Sequence, residues 1–324
     1  IGLHVFNTLE KHGLLPRYQK SEGQFIEDPH AEAQYQDYLK FLALQELWGT
    51  HHRIHQNLED VGLLEVKYRG IEQIAAHDET WAGVPFFEGL SSNERYDVLL
   101  GFLDIMRKRL AIGHEAQINK QQFKTMVVDK LNEDVLIHDE SVWKFTGFGD
   151  DNPKHYKYRR HGLSHHSTQL NKWLRRSLGI ENTSQASDLV LQLVSILTKE
   201  GFLEAHTVKH RYNRAPIKLW MLNPIIITLQ ADKDTHHKRC PRCQTIHHFK
   251  TLDLCTSTTC HTKLEEKDLS ENYFRQEYTR PLGMSTPVKA AEHSGQVEGE
   301  ERQKIEQDFQ DEDSFLNVIV CTPT

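Results

Sequence analysis

The sequence lacks any long hydrophobic run, since no stretch approaches the roughly 18 apolar residues that a membrane-spanning helix needs. Its mean hydropathy of −0.62 agrees with that absence. A glycine-rich G-x-x-x-x-G-K-[ST] phosphate loop is also missing from the 324 residues. The first absence argues against a membrane protein, and the second excludes a phosphate-loop nucleotide site within this sequence.

Cysteine is scarce, because the chain has only five, and four of them lie close together in the sequence. This usage favours a reducing compartment, the cytoplasm, with a bound metal over a disulfide framework. The two pairs have two and four intervening residues, so four thiolates can turn toward one tetrahedral Zn²⁺ and leave no position for catalytic water. We predict a zinc site with the ligands Cys240, Cys243, Cys255 and Cys260.

Two alternatives to the four-sulfur zinc site remain open at this stage. The four cysteines would be unconnected thiols if no metal were bound. Three nearby histidines are close enough in sequence to replace one sulfur, namely His247, His248 and His261. The fifth cysteine, Cys321, lies in an apolar segment and is predicted to be a small core residue.

Charge is unevenly distributed along the chain, whose formal net charge is −7. Residues 152–250 contain 17 Lys and Arg against 6 Asp and Glu, which leaves a net −18 on the rest of the chain. A basic segment inside an acidic chain indicates a polyanionic partner such as nucleic acid. Solvated faces of an ordinary domain give the same composition, so both interpretations stay open.

Residues 28–147 are predicted to form a helical bundle that acts as a scaffold. Aromatic and apolar residues recur at helical spacing in residues 31–48, and residues 96–106 form a second apolar helix. A capping box, Ser91 with Glu94, precedes that second helix. A short strand is expected near residue 68, and a loop is expected at residues 147–153 because of their Gly, Asp and Pro content.

The basic segment has the element order of a winged helix-turn-helix. Helices are predicted near residues 168–178 and 187–199, and a hairpin follows with strands that start at Gly201 and Lys218. Another small α+β module would give the same order. The basic hairpin tip supplies three candidate nucleic-acid contacts, Lys209, Arg211 and Arg214.

The last forty or so residues have the most informative functional pattern. Residues 287–296 read as a strand and a turn, an acidic helix follows, and residues 316–324 form an apolar strand that ends in Thr-Pro-Thr. The helix carries Arg302, and its apolar residues Ile305 and Phe309 are predicted to face the core.

This pattern resembles the second RecA-like motor domain of superfamily 2 DEAD/DEAH-box helicases. There a His-Ser-Gly turn follows a strand, an Arg and a Phe follow on the next helix, and a strand ends in V-x-T-x-T. Residues 272–278 and 322–324 also resemble large bacterial members, including those of anti-phage defence systems, which carry a helical, zinc-bearing insertion between two motor domains. Residues 58–64 and 68–72 resemble that insertion. On this resemblance we expect the chain to be a fragment of a longer protein, cut at both ends, and mostly insertion.

The resemblance implies specific nucleic-acid contacts near the end of the chain. Thr322 would bind the nucleic-acid backbone and Arg302 would contact a phosphate, with Thr324 and the His293-Ser294-Gly295 turn nearby. It also implies an ATP-dependent helicase as the intact protein, with ATP and Mg²⁺ as cofactors. The implied partners are DNA, or alternatively RNA, and proteins of a defence or repair system, but no membrane.

Several features limit what this chain can do alone. Three acidic segments, residues 78–80, 139–141 and 311–314, resemble the acidic helicase box, but none follows an apolar strand. We interpret them as helix caps or turns, and therefore expect no ATP hydrolysis by the chain as given. A non-enzymatic zinc and winged-helix nucleic-acid-binding protein is the alternative from another functional class.

The predicted fold class is a multidomain α+β chain whose zinc module is separate from the helical bundle. Its parts are predicted as 1–27 truncated lead-in, 28–147 helical insertion, 148–166 basic linker, 167–230 winged-helix-like module, 231–266 zinc module, 267–283 connector helix, and 284–324 start of a RecA-like α/β domain.

Overall fold

The computed structural model describes residues 18–21, 24–27, 47, 57–113, 147–149, 160–209, 216–257, 259–260, 262–280, 289–292, 299–310 and 316–320. The chain forms two compact units, Ile1–Asn272 and Tyr273–Thr324. Helices and small, mainly antiparallel sheets are mixed in the described part, which confirms the α+β class. None of the described helices combines the length and the apolar character that crossing a membrane requires.

The first unit contains five α-helices in its described residues. They are α1 (Ile71–Ala76), α2 (Asp78–Trp81), α3 (Ser92–Arg107), α4 (Gln169–Leu178) and α5 (Thr183–Lys199). Its strands are β1 (Tyr18–Ser21), β2 (Gln24–Glu27), β3 (Leu64–Tyr68), β4 (Gly147–Gly149), β5 (Arg160–Gly162), β6 (Leu203–Lys209), β7 (Pro216–Leu222), β8 (Ile227–Ala231), β9 (His236–Arg239), β10 (Ile246–His247) and β11 (Glu265–Asp268).

Helix α3 is the central helix of this unit, and its capping box is confirmed. The Ser91 hydroxyl accepts from the Glu94 amide, and the Glu94 carboxylate accepts from the Ser91 amide at 2.8 Å. Gly101 lets α4 approach closely, because a Cβ at this position would overlap the Trp173 ring. The Trp173 indole in turn donates to the Val98 carbonyl at 3.3 Å, which ties α4 to α3.

The predicted order of helix, turn, helix and hairpin is confirmed as a set of elements. Gly179 has a φ of 66° and ends α4 in the left-handed region, where glycine lacks a steric penalty. Helix α5 starts four residues earlier than predicted, because the Asn182 side chain accepts from the Ser184 amide and caps it. Strands β6 and β7 form the antiparallel hairpin, with Leu203 opposite Leu222.

The predicted loop at residues 147–153 is wrong at its first three residues. Strand β4 lies between β5 and β7 in a four-stranded sheet of order β5-β4-β7-β6. Phe148 is opposite Trp220 in this sheet. Leu219 packs closely against Gly147, because a Cβ added at residue 147 would lie 3.0 Å from the Cβ of Leu219. Close approach between strands therefore explains Gly147, one of the glycines that had indicated a loop.

A single hydrophobic cluster extends from the α3 helix to the cysteines, so the helical, helix-turn-helix and cysteine-bearing segments share a core. Strand β3 pairs with β8 in an antiparallel ribbon, which joins residues on either side of the helix-turn-helix. The buried Asp97 of α3 accepts from the amides of Lys250, Thr251 and Leu252 at 2.5–2.8 Å. The chain after β10 is thereby fixed to α3.

The second unit contains helices α6 (Tyr273–Thr279) and α7 (Gly299–Gln310) and strands β12 (Lys289–Glu292) and β13 (Leu316–Val320) among its described residues. The predicted strand, helix and strand are confirmed. Strands β12 and β13 pair in parallel, so α7 lies within the crossover of a β-α-β unit. The prediction of Phe309 as a core residue is wrong, since its side chain is 46% exposed.

Candidate metal centre

A tight turn between β9 and β10 positions the first pair of cysteines. The Cys240 amide donates to the Thr245 carbonyl at 3.0 Å, and the Gln244 amide donates to the Cys240 carbonyl at 2.9 Å. Gln244 has a φ of 66°, which turns the chain back toward β10. This geometry brings Cys240 and Cys243 to one side of the turn.

The second pair lies on the loop between β10 and β11. An isolated bridge joins Leu254 to Lys263 and closes the base of this loop. Inside the loop, the Ser257 amide donates to the Cys255 sulfur at 3.4 Å, and the Cys260 amide donates to the Ser257 carbonyl at 3.3 Å. Both cysteines are buried as a result.

The four sulfur atoms converge, all lying within 4.8 Å of one another. The sulfurs of Cys243 and Cys255 are 3.5 Å apart. A tetrahedral Zn²⁺ with Zn–S bonds of about 2.3 Å separates its sulfurs by about 3.8 Å, so little adjustment is needed. The cluster can therefore hold a metal ion, and its geometry and soft ligands are compatible with zinc.

Helix α4 supports the second cysteine loop through contacts that the sequence did not indicate. The Arg176 guanidinium donates to the Ser257 carbonyl at 3.1 Å and to the Cys260 carbonyl at 2.8 Å. Gln169, on the same helix, donates to the Thr256 carbonyl at 3.3 Å. Arg176 was counted only as part of a basic segment, and its partners are more than 80 residues away in sequence.

Negative charge is shared unequally among the sulfurs. The hydrogen bond with Cys255 outweighs burial and lowers the pKa of Cys243 to about 4. The same hydrogen bond and burial raise the pKa of Cys255, and burial raises the pKa of Cys260. Deprotonation of the remaining thiols would add negative charge to the cluster, and a nearby cation is needed to stabilise that charge. Binding of Zn²⁺ should therefore release protons from these thiols.

None of the described histidines belongs to the four-sulfur cluster. His247 is buried, stacks on Phe249 at 5.1 Å, and has no hydrogen-bond partner for either ring nitrogen among the described residues. Burial and the nearby Lys108 lower its pKa, which keeps the ring neutral. His248 belongs to a different group of side chains, and His261 lies outside the described residues.

The predicted nucleic-acid contacts are described only in part. Lys209 is the last residue of β6, opposite Pro216. Arg302 lies on α7 and is partly buried, and its Nε has no hydrogen-bond partner among the residues that the structure describes. The other candidates lie outside the described residues: Arg211, Arg214, His293, Ser294, Gly295, Thr322 and Thr324.

Comparisons with known proteins add no relative. No protein-family model, curated protein or solved structure matches the chain. Its function must therefore be inferred from its own residues and contacts.

Proposed function

We propose that this chain is part of an ATP-dependent nucleic-acid helicase or translocase, in which it supplies nucleic-acid contacts and a zinc-bearing insertion. The observation that carries the proposal is the β-α-β unit near the end of the chain. Its strands β12 and β13 are parallel, as in a RecA-like sheet, and α7 lies between them in sequence with Arg302 on it. The residues that resemble helicase motifs flank these elements in the sequence.

Arg302 is the described residue best suited to a phosphate contact. A guanidinium is always charged and offers five N–H donors. The Nε of Arg302 is shielded from solvent, and its N–H has no acceptor among the described residues. A nucleic-acid phosphate would satisfy these donors. Thr322, Thr324 and the His293-Ser294-Gly295 turn complete the proposed contact surface, and DNA is the proposed strand, with RNA as the alternative.

In this proposal the four-cysteine cluster binds zinc and has a structural role. Four protein ligands leave no position for substrate or water on the metal. ATP and Mg²⁺ belong to the motor domains of the intact protein. The helix-turn-helix and its hairpin form a winged-helix-like module, whose basic tip at Lys209, Arg211 and Arg214 gives a second contact with the backbone.

The contacts can be tested by fluorescence anisotropy with labelled single-stranded DNA, duplex DNA and RNA over a range of salt concentrations. Phosphate contacts release counterions, so affinity should fall steeply with salt. Loss of one phosphate contact in Arg302→Ala should reduce the slope of log affinity against log salt by about 1. Lys304→Ala removes the same charge from an exposed position of the same helix and is the matched control.

Charge reversal of the three hairpin residues to Glu tests the second contact and should weaken binding to every sequence uniformly. An Arg302→Ala slope equal to that of Lys304→Ala would remove Arg302 from the proposed surface. Affinity that stays constant from low to high salt would contradict nucleic-acid binding through phosphates altogether.

A non-enzymatic zinc and winged-helix nucleic-acid-binding protein is the second candidate. One observation favours it: the helix-turn-helix, the hairpin and the four cysteines lie in one compact unit with a common core. Such a unit could bind nucleic acid without a motor. ATP hydrolysis by the longer protein distinguishes the two candidates.

A further inference from the structure

A second group of metal-binding side chains lies in the first unit, and it contains no cysteine. Asp232 follows β8, His237 is in β9, and His248 follows β10. Each offers a ligand atom, and the three atoms lie within 4.8 Å of one another. Three consecutive strand segments therefore deliver one carboxylate and two imidazoles to a single place.

Hydrogen bonds fix the orientation of two members of this group. The Asp234 amide donates to Oδ1 of Asp232 at 2.9 Å, which leaves Oδ2 directed at His237. Nε2 of His237 is 2.8 Å from the Asp234 carbonyl, an oxygen that can only accept, so this nitrogen carries the proton. A backbone carbonyl commonly fixes a metal-binding histidine in this way.

The remaining nitrogen of His237, Nδ1, lies 3.9 Å from Oδ2 of Asp232. In the neutral ring Nδ1 has a lone pair, so two electron-rich atoms face each other with no hydrogen between them. The His237 side chain is only 4% exposed and that of Asp232 only 14%, so little water can separate them. A cation between the two atoms removes the repulsion.

His248 supplies a third donor with unused bonding capacity. Its Nε2 is buried and has no hydrogen-bond partner among the described residues. Its Nδ1 lies 3.9 Å from Oε1 of Glu65 on the neighbouring strand β3. A buried ring nitrogen without a partner is costly, and metal coordination is one way to satisfy it.

We propose that Asp232, His237 and His248 form a second metal site, distinct from the four-cysteine cluster. Two imidazoles and a carboxylate suit a divalent transition metal ion such as Zn²⁺. Three protein ligands leave one position on a tetrahedral ion, which water or the Glu65 carboxylate can fill. Because Asp232 follows β8 while His237 and His248 lie in β9 and directly after β10, the ion would join the β3–β8 ribbon to the three-stranded sheet of the cysteine loops.

Cobalt substitution distinguishes the two sites in the same untagged protein. Apo protein is titrated with Co²⁺, and bound metal is measured after dialysis. Thiolate ligands give intense charge-transfer bands, whereas a nitrogen and oxygen site gives only weak ligand-field bands. The wild-type chain should bind two equivalents, one for each group of side chains, and show both kinds of band.

Asp232→Asn keeps the acceptor for the Asp234 amide but loses the charged ligand, and His248→Ala removes an imidazole. Each should lose the second equivalent and the weak bands and keep the thiolate bands. The matched control is His236→Ala, an exposed histidine next to His237, which should retain both equivalents. Cys240→Ser should show the converse pattern, with thiolate bands weakened and weak bands kept.

The wild-type titration alone can overturn the proposal, even where a variant fails to fold. A single equivalent with only thiolate bands would contradict the second site. X-ray absorption of the zinc-loaded wild type is the independent check, because only sulfur neighbours would also contradict the site. A folded Asp232→Asn protein that keeps the second equivalent would remove Asp232 as a ligand.

Discussion

At the residue scale, Arg107 shows how the core of the first unit accommodates charge. Its side chain is fully buried, and its guanidinium makes two hydrogen bonds of 2.6 and 2.8 Å to the Glu59 carboxylate. Asp104 and the Tyr68 hydroxyl, each at 3.0 Å, accept from its remaining donors. Breaking such a buried pair costs more than forming it gains, because one charge is left uncompensated.

The pH dependence of stability should depend on Glu59. Burial acts to raise the pKa of Glu59, but Arg107 and Lys108 outweigh it and hold that pKa well below the usual value of 4.5. The stability that the ionised carboxylate contributes is therefore present above pH 4.5 and is lost as the pH falls below it. Glu59→Gln should lower the free energy of unfolding at pH 7 by about 3 kcal/mol and remove part of this acid dependence.

Urea unfolding at several pH values measures this effect. The exposed Glu88→Gln is the control, because it removes one carboxylate without a buried partner and should change the free energy of unfolding by less than about 0.5 kcal/mol. A Glu59→Gln protein with unchanged stability at pH 7 would show that Arg107 finds another partner.

At the element scale, the two cysteine loops are bound to helices instead of forming a separate module. Asp97 of α3 holds the backbone at residues 250–252, and Arg176 of α4 holds the loop at Ser257 and Cys260. Cys240, Cys255 and Cys260 are members of the shared core. A substitution of these cysteines should therefore also destabilise α3.

We expect Cys240→Ser, or removal of zinc with a chelator, to destabilise the whole first unit. Loss of several kcal/mol of metal-binding free energy should lower its melting temperature by roughly 10 °C. This differs from the sequence-based expectation of a local effect, because the shared core couples the loops to α3. Hydrogen exchange of the α3 amides is the decisive measurement.

In that experiment, faster exchange should extend from the cysteine loops into α3. Cys321→Ser is the control, since it makes the same cysteine-to-serine substitution outside the four-cysteine cluster. If α3 kept its protection after zinc was removed, the cysteine loops would be an independent module, as first predicted.

The elements divide into those that local sequence predicts and those that it does not. The helix-turn-helix, the hairpin and the final strand-helix-strand were predicted, because caps, periodicity and turn residues are local signals. Likewise, the spacing of the two cysteine pairs was enough to predict that the four cysteines form one candidate metal site. Three features had no local signal in the sequence, because they depend on contacts between residues far apart in the chain. They are strand β4, the Arg176 contacts, and the group of Asp232, His237 and His248.

At the scale of the whole molecule, the chain carries proposed binding elements, and its sequence has no phosphate-loop motif. Asp78, in one of the three acidic segments, lies in the first turn of α2, where its carboxylate pairs with Arg95 at 2.5 Å. This confirms its interpretation as a residue at a helix terminus. The other two segments, residues 139–141 and 311–314, lie outside the described residues.

We therefore expect the purified chain to release no phosphate from ATP above a buffer control, with or without DNA. Hydrolysis in the proposed family needs a phosphate loop, an acidic pair that binds Mg²⁺ and an arginine finger, brought together from two motor domains. The sequence has no phosphate loop, and its β-α-β unit supplies only elements that face nucleic acid in the resemblance. ATP turnover by this chain alone would contradict the helicase assignment.

The positive half of this prediction uses the proposed intact helicase, which should show ATPase activity stimulated by nucleic acid. Arg302→Ala or Thr322→Ala should reduce that stimulation while the basal rate changes little, because both residues are proposed to contact the strand and not the nucleotide. Lys304→Ala should retain full stimulation. A longer protein that binds nucleic acid in a zinc-dependent way but hydrolyses no ATP would instead support the non-enzymatic candidate, because the compact first unit would then account for all of its binding.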